Sequence, residues 1–219
     1  MEPVVIKNMK RTILLFLFTL SINTVFADSP LTSTNFYQAY LDIPLVQEAK
    51  VSKGRITTKM IEYIHNENNP LEIKLAIINA IGFNFKGLKN SRKFLKYVLK
   101  KKKYKLKYLS KKTAFKFKAT ADELICYAYM KALDNFFNVT EACNTAKLSL
   151  NKNPNSFGVA MIYNLIKVDA LTSIGETCYG SQLFLALKDN PNLKMDMRKE
   201  SMSYIFEYIE EISKDCKTK

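Results

Sequence analysis

Leu71-Glu72-Ile73-Lys74-Leu75-Ala76-Ile77-Ile78-Asn79-Ala80-Ile81-Gly82 sets Leu71, Leu75, Ile78 and Gly82 at helical spacing, with Ile77 and Ile81 on their flanks. A helix that is apolar over most of its circumference belongs inside a fold, with other elements around it. Downstream, Asp122 to Phe137 reads the same way. Cys126, Met130, Leu133 and Phe137 form an inward stripe, with Leu124, Ile125, Ala128 and Phe136 around it. Phe157, Ala160, Met161, Leu165, Val168 and Leu171 make a third buried helix. A last helix, about Leu193 to Lys214, is amphipathic. Met202, Ile205, Ile209, Ile212 and Cys216 face inward, and Glu207, Glu210, Glu211 and Lys214 face water. Shorter helices are expected over Thr34 to Leu41, Pro44 to Val51, Thr57 to Asn66, Asn90 to Lys102, Thr140 to Leu150 and Glu176 to Leu187. Only six glycines and six prolines in 219 residues argue against a turn-rich β protein. The expected fold is all-α, built of helix hairpins, either α-solenoid-like or an irregular helical bundle.

Asn-Pro recurs at Asn69-Pro70, Asn153-Pro154 and Asn190-Pro191. Asn suits the N-cap and Pro the first helical position, so each pair predicts a helix start. The spacing suits a two-helix unit. Ala142, Ala146 and Pro154 resemble tetratricopeptide arrays. That family's conserved large and small positions are mostly absent upstream, where Cys126, Tyr129 and Met130 stand, so the segment reads as helix-hairpin architecture and not as family membership.

One segment breaks the helical period. Tyr104, Leu106 and Tyr108 alternate with Lys103, Lys105 and Lys107, and Phe115 and Phe117 alternate with Lys116 and Lys118. Period-two alternation on both sides of Ser110-Lys111-Lys112-Thr113 predicts a small β-hairpin over 103–118. The competing reading continues the Asn90 helix through Tyr104 and Tyr108, which are four apart.

The N-terminus reads as a secretory signal peptide over residues 1–27. Met9-Lys10-Arg11 is the positive region, Ile13 to Leu20 the apolar core, and Val25-Phe26-Ala27 the cleavage site before Asp28. Met9 is an alternative start, because eight residues before such a pattern are unusual. The apolar run falls short of the roughly 20 residues a bilayer needs. Residues 28–219 then form a single helical domain, secreted or periplasmic, with a basic band at 86–118 and a cysteine-containing helical half at 120–219. Cys126, Cys143, Cys178 and Cys216 all lie in that half. An even count in an exported chain points to disulfides. A Cys143–Cys178 bridge is preferred among three connectivities, and buried free thiols are the alternative.

Charge is concentrated. Between Ile73 and Ala121 lie sixteen Lys or Arg and no Asp or Glu; outside that stretch the mature chain has fifteen bases against nineteen acids. The band comprises Lys86, Lys89, Arg92, Lys93, Lys96, Lys100, Lys101, Lys102, Lys103, Lys105, Lys107, Lys111, Lys112, Lys116 and Lys118. Such a band attracts an anionic glycan, a lipid surface or an acidic protein. Nucleic acid fits less well, because the band has one Arg and Arg reads phosphates and bases better than Lys. The competing reading is a solvated face.

Catalytic signatures are thin. His65 is the one histidine, at a helix end followed by Asn66, Glu67 and Asn68. H-x-E lacks the P-C-x-x-C of a deaminase zinc site, and HExxH, G-x-S-x-G and P-loop patterns do not occur. No cofactor and no metal site are expected. A small hydrolase of unrecognised type and a pure protein-interaction module remain the alternatives to a binding or scaffold protein. Asn138-Val139-Thr140 is a formal glycosylation sequon that reads as a turn and helix cap.

Overall fold

The computed structural model describes residues 29–83, 88–103, 110–172 and 177–216. Residues 1–27, where a signal segment is expected, and Lys86, Lys105 and Lys107 lie outside these. Among the described residues the backbone forms eleven α-helices and no strand. They are α1 (Pro30–Ser33), α2 (Pro44–Lys50), α3 (Thr58–His65), α4 (Leu71–Ile81), α5 (Asn90–Lys102), α6 (Lys111–Lys118), α7 (Ala121–Asp134), α8 (Thr140–Lys152), α9 (Phe157–Thr172), α10 (Thr177–Lys188) and α11 (Lys199–Ser213). Short 3₁₀ turns cover Phe36–Tyr40 and Lys214–Cys216. The all-α expectation holds.

α4, α7 and α9 carry the core. Leu75, Ile77 and Ile78 of α4 are buried with Leu124, Ile125 and Ala128 of α7 and Phe157, Met161 and Leu165 of α9. α4 is buried continuously from Lys74 to Ile81 and stops at Gly82, whose φ of 67° glycine adopts without a Cβ penalty. α7 opens with a capping box: the Glu123 amide donates to Thr120 Oγ1, and the Thr120 amide donates to Glu123 Oε2 at 3.0 Å. Asn79, buried at the centre, accepts from the Tyr37 amide and donates to the Thr34 carbonyl and the Tyr129 hydroxyl, all within 2.9 Å. Its polar atoms are thus satisfied where water cannot reach. Gly180 lets α10 lie close on α9, because a Cβ there would stand 2.8 Å from a Val168 methyl.

Consecutive helices from α7 to α11 pack pairwise, and α11 also packs on α1 and on the 3₁₀ turn at Phe36–Tyr40. The two ends of the chain therefore meet. Tyr40, fully buried, accepts from the Arg198 amide at 3.0 Å and contacts Glu72 Oε2 at 3.0 Å. The Arg198 guanidinium lies over the Tyr40 ring and pairs with both oxygens of Asp42. Burial pushes the Tyr40 hydroxyl up to about 12.

Several expectations need correction. Lys111–Lys118 is helical, so the β-hairpin over 103–118 does not form there; residues 104–109 lie outside those described. Ser110 caps that helix through the Thr113 amide, and Ala114 and Phe115 turn inward while Phe117 is 67% exposed. A short alternation is weaker than a cap followed by helix-compatible residues. Second, the last helix begins at Lys199, not Leu193. Residues before it are drawn into capping α9: Asp196 accepts from the Gly158 amide at 2.7 Å and from Ser156 Oγ at 2.6 Å. Third, Asn-Pro marks turns preceding helices and does not form the cap and first residue. Pro70 directly precedes α4, whereas Pro154 and Pro191 lie in turns before Phe157 and Lys199.

The fourth correction concerns the cysteines. Cys178 is bonded to Cys216, not to Cys143; Cys126 and Cys143 are free. α10 and α11 form a hairpin, which brings the start of one to the turn after the other, with a Cα–Cα separation of 5.4 Å. Cys143 sits in the first turn of α8, half-buried near Tyr163 and Lys167 of α9.

Candidate anion-binding surface

The basic band is divided by the fold. On α5, Phe94 and Val98 are buried, and α5 packs against α7 and α3. At 100° per residue, Lys89, Arg92, Lys93, Lys96 and Lys100 fall in a sector of about 100° on the opposite side, over a length of about 17 Å. All five are exposed, and α5 contains no carboxylate. Lys103, which follows the helix with φ 41°, is exposed too. Lys101 bends back over the Tyr97 ring at 5.4 Å.

The start of this helix is fixed by residues far away in sequence. Asp134, at the end of α7, accepts from the Asn90 and Ser91 amides at 2.9 Å each and from Ser91 Oγ at 2.6 Å. Burial raises the Asp134 carboxyl above the ordinary aspartate value, and the Ser91 hydrogen bonds oppose that rise. Asn90 in turn donates to the Gly54 carbonyl and accepts from the Ile56 amide. The basic face is therefore presented on a helix anchored at its first turn.

Other members of the band have different surroundings. Lys102 turns inward and reaches Glu123 Oε2 at 2.8 Å and Glu67 Oε1 at 3.0 Å. The hydrogen bond from Lys102 holds the Glu67 carboxyl below its usual range. On α6, Lys112 meets Glu141 of α8 at 2.5 Å, Lys116 is half-buried, and Lys111 and Lys118 are exposed. Lys152 of α8 closes α6 by donating to the Phe117 and Ala119 carbonyls. Among the described residues, the longest shared basic face of the band runs along α5.

His65 stands beside that system, against the same Glu123 carboxylate as Lys102. Its Nδ1 is 3.0 Å from Glu123 Oε1, without hydrogen-bond geometry between them. The ring meets Tyr97 edge-on at 5.5 Å. Three cavities, of about 330, 520 and 170 Å³, are lined without His65 or any cysteine. The largest lies between α8, α9 and α10, against Leu150, Pro154, Tyr163 and Leu187. Among the described residues no group of three or more His, Cys, Asp or Glu side chains is placed to hold a metal ion.

Two features escaped the sequence. Asp134 was hidden as a helix-end acid because its partners lie 43 and 44 residues away. Phe137, expected on the inward stripe of α7, is 74% exposed because α7 ends at Asp134. Asn135 and Asn138 around the Phe pair were the available turn signal. The sequon residues Asn138 and Thr140 are exposed, and α8 begins without a side-chain cap.

Fold and surface together define an all-α helical-hairpin protein with a cationic face along α5. Comparison with protein-family models, with curated proteins and with solved structures finds no match to this chain.

Proposed function

We propose that this chain is an exported, non-enzymatic binding or scaffold protein that holds an anionic partner through the exposed face of α5. The observation that carries the reading is the sector of Lys89, Arg92, Lys93, Lys96 and Lys100, all exposed and without a carboxylate on the same helix. Such a field raises the local concentration of anions and weakens within a Debye length of about 8 Å at physiological salt. Export through residues 1–27, with cleavage after Ala27, belongs to the same proposal. Two observations support it: the Cys178–Cys216 disulfide, and the absence among described residues of any helix long and apolar enough to cross a membrane.

The test is retention on heparin resin. Arg92→Glu, Lys93→Glu, Lys96→Glu and Lys100→Glu together should abolish it, and wild-type retention should fall steeply with salt. Lys102 is left unchanged, since its replacement would strand Glu123. Equal retention of both proteins removes the proposal. The groove between α8, α9 and α10 favours a second reading, a protein-interaction module. In that case Leu150→Asp and Leu187→Asp would abolish partner binding while heparin retention stayed unchanged.

A further inference from the structure

The basic face of α5 begins beside a cluster of aromatic rings. Where the chain leaves α7, the Phe136 and Phe137 rings lie with centroids 4.3 Å apart and planes tilted by 33°. Phe83, just after α4, meets Phe136 edge-on at 5.5 Å. Phe137 is 74% exposed and Phe83 38%. The rings are tied to the first turn of α5, because Asp134, two residues before Phe136, binds the Asn90 and Ser91 amides. Lys89 immediately precedes Asn90, and Arg92 and Lys93 follow within one turn.

Positive charge flanks the rings on a second side. The cavity of about 170 Å³ is lined by Tyr37, Lys50, Gly82, Phe83 and Leu133, with Lys50 Nζ 6.0 Å from the Tyr37 ring centre. Of the acids at this end, Asp134 accepts two amides and a hydroxyl, so its charge is turned into the protein, and Glu141 is paired with Lys112. Exposed apolar rings among cations therefore mark this end of the bundle.

That pairing chooses among anions. A sulfated glycan or a nucleic acid presents hydrated charge along its length, and neither offers an apolar layer for three clustered rings. An anionic bilayer offers both requirements in layers: head-group charge for the cations, and an acyl boundary a few ångströms deeper for a ring. Resting on the anion-binding reading of α5, we propose that the partner is an anionic lipid surface, met at this end of the molecule. Phe137 enters the head-group boundary while Lys50, Lys89, Arg92 and Lys93 hold the head groups.

The chain has no tryptophan, so Phe137→Trp creates a single reporter in an exposed turn. Full-length mature protein is mixed with phosphatidylcholine vesicles, with and without about a third phosphatidylglycerol. The expected result is a blue shift of emission and quenching by brominated acyl chains on the anionic vesicles alone. Phe137→Ser should weaken vesicle co-sedimentation roughly tenfold while heparin elution stays unchanged. Arg92→Glu with Lys93→Glu should weaken both. Thermal unfolding checks that each variant folds.

Phe137→Ser binding vesicles as wild type does would overturn the insertion. Wild type retained on heparin but absent from vesicles overturns the lipid inference and leaves the anion-binding reading standing; loss of both removes both. Tighter binding to single-stranded oligonucleotide than to vesicles, abolished in Phe137→Ser, assigns the surface to nucleic acid instead. A wild-type dimer that Phe137→Ser dissociates, with no vesicle binding, assigns it to a second copy of the chain. Either result overturns the proposal.

Discussion

Asp134 caps a helix that starts 44 residues before it: its carboxylate oxygens accept the Asn90 and Ser91 amides at 2.9 Å each. The Ser91 N–H of α5 is thereby satisfied from the end of α7, and the Asn90 N–H, which also meets the Leu88 carbonyl at 2.8 Å, gains a second acceptor. Asp134→Ala should lower unfolding stability by about 2 kcal/mol, since a lost cap and the unpaired Ser91 amide and hydroxyl both contribute. Asp134→Asn, which keeps one accepting oxygen, should lose about half as much. Urea titration followed by circular dichroism measures both. If the alanine variant matches wild type, the cap does not anchor the basic helix.

Lys74 is 1% exposed and its ammonium lies 2.9 Å from Asp122 Oδ2. Removing one partner leaves the other uncompensated, and only Lys74 would be left inside the core. Asp122→Ala should therefore cost about 3 kcal/mol, whereas Lys74→Met, which keeps the apolar stem, should cost about 1 kcal/mol or less. The order of the two midpoints in denaturant is the readout; the reverse order would falsify this account of the pair.

The Cys178–Cys216 bond closes a sequence separation of 38 residues. In the chain-entropy picture its loss costs about 3–4 kcal/mol. Mass spectrometry of a non-reduced digest should find that cross-link and none to Cys143. Burial pushes the Cys126 thiol well above the usual range and raises Cys143 too. Under native conditions a thiol reagent should label Cys143 slowly and leave Cys126 untouched until denaturant is added. Fast labelling of Cys126 in the native protein contradicts its place in the core.

Asp169, buried in α9, accepts the Ser29 hydroxyl, and burial raises its carboxyl above 3.8. A raised folded value means that the protonated form favours folding. That contribution is complete below the unfolded value and is lost as pH climbs through the folded one. Asp169→Asn removes the titration but keeps an accepting oxygen. The variant should gain melting temperature relative to wild type as pH rises from about 4, reaching a plateau above the folded value. A difference that is flat with pH, or that shrinks as pH rises, sinks the assignment.

Much of the fold is legible because apolar spacing is local. The α4 and α9 segments show their burial in the residues themselves, and the expected bounds of the Asn90 helix match α5. What fails is decided by partners distant in sequence. Leu193 to Arg198 carries a helical pattern yet stays irregular, since Asp196 caps α9. Phe115 and Phe117 alternate like a strand, yet one packs edge-on against Tyr127 of α7 and the other faces solvent.

The sequence by itself determined the helical class, the position of the basic segment and the even cysteine count, because periodicity, charge and composition need no tertiary contact. Only the tertiary structure decided which cysteines join and which lysines remain at the surface. Lys102 and Lys100 are chemically alike two residues apart, but α5 turns one toward Glu123 and the other toward water. The physical reason is that a side chain's electrostatic role depends on what the packed helices place opposite it, and residues 21 positions apart supply that answer for Lys102.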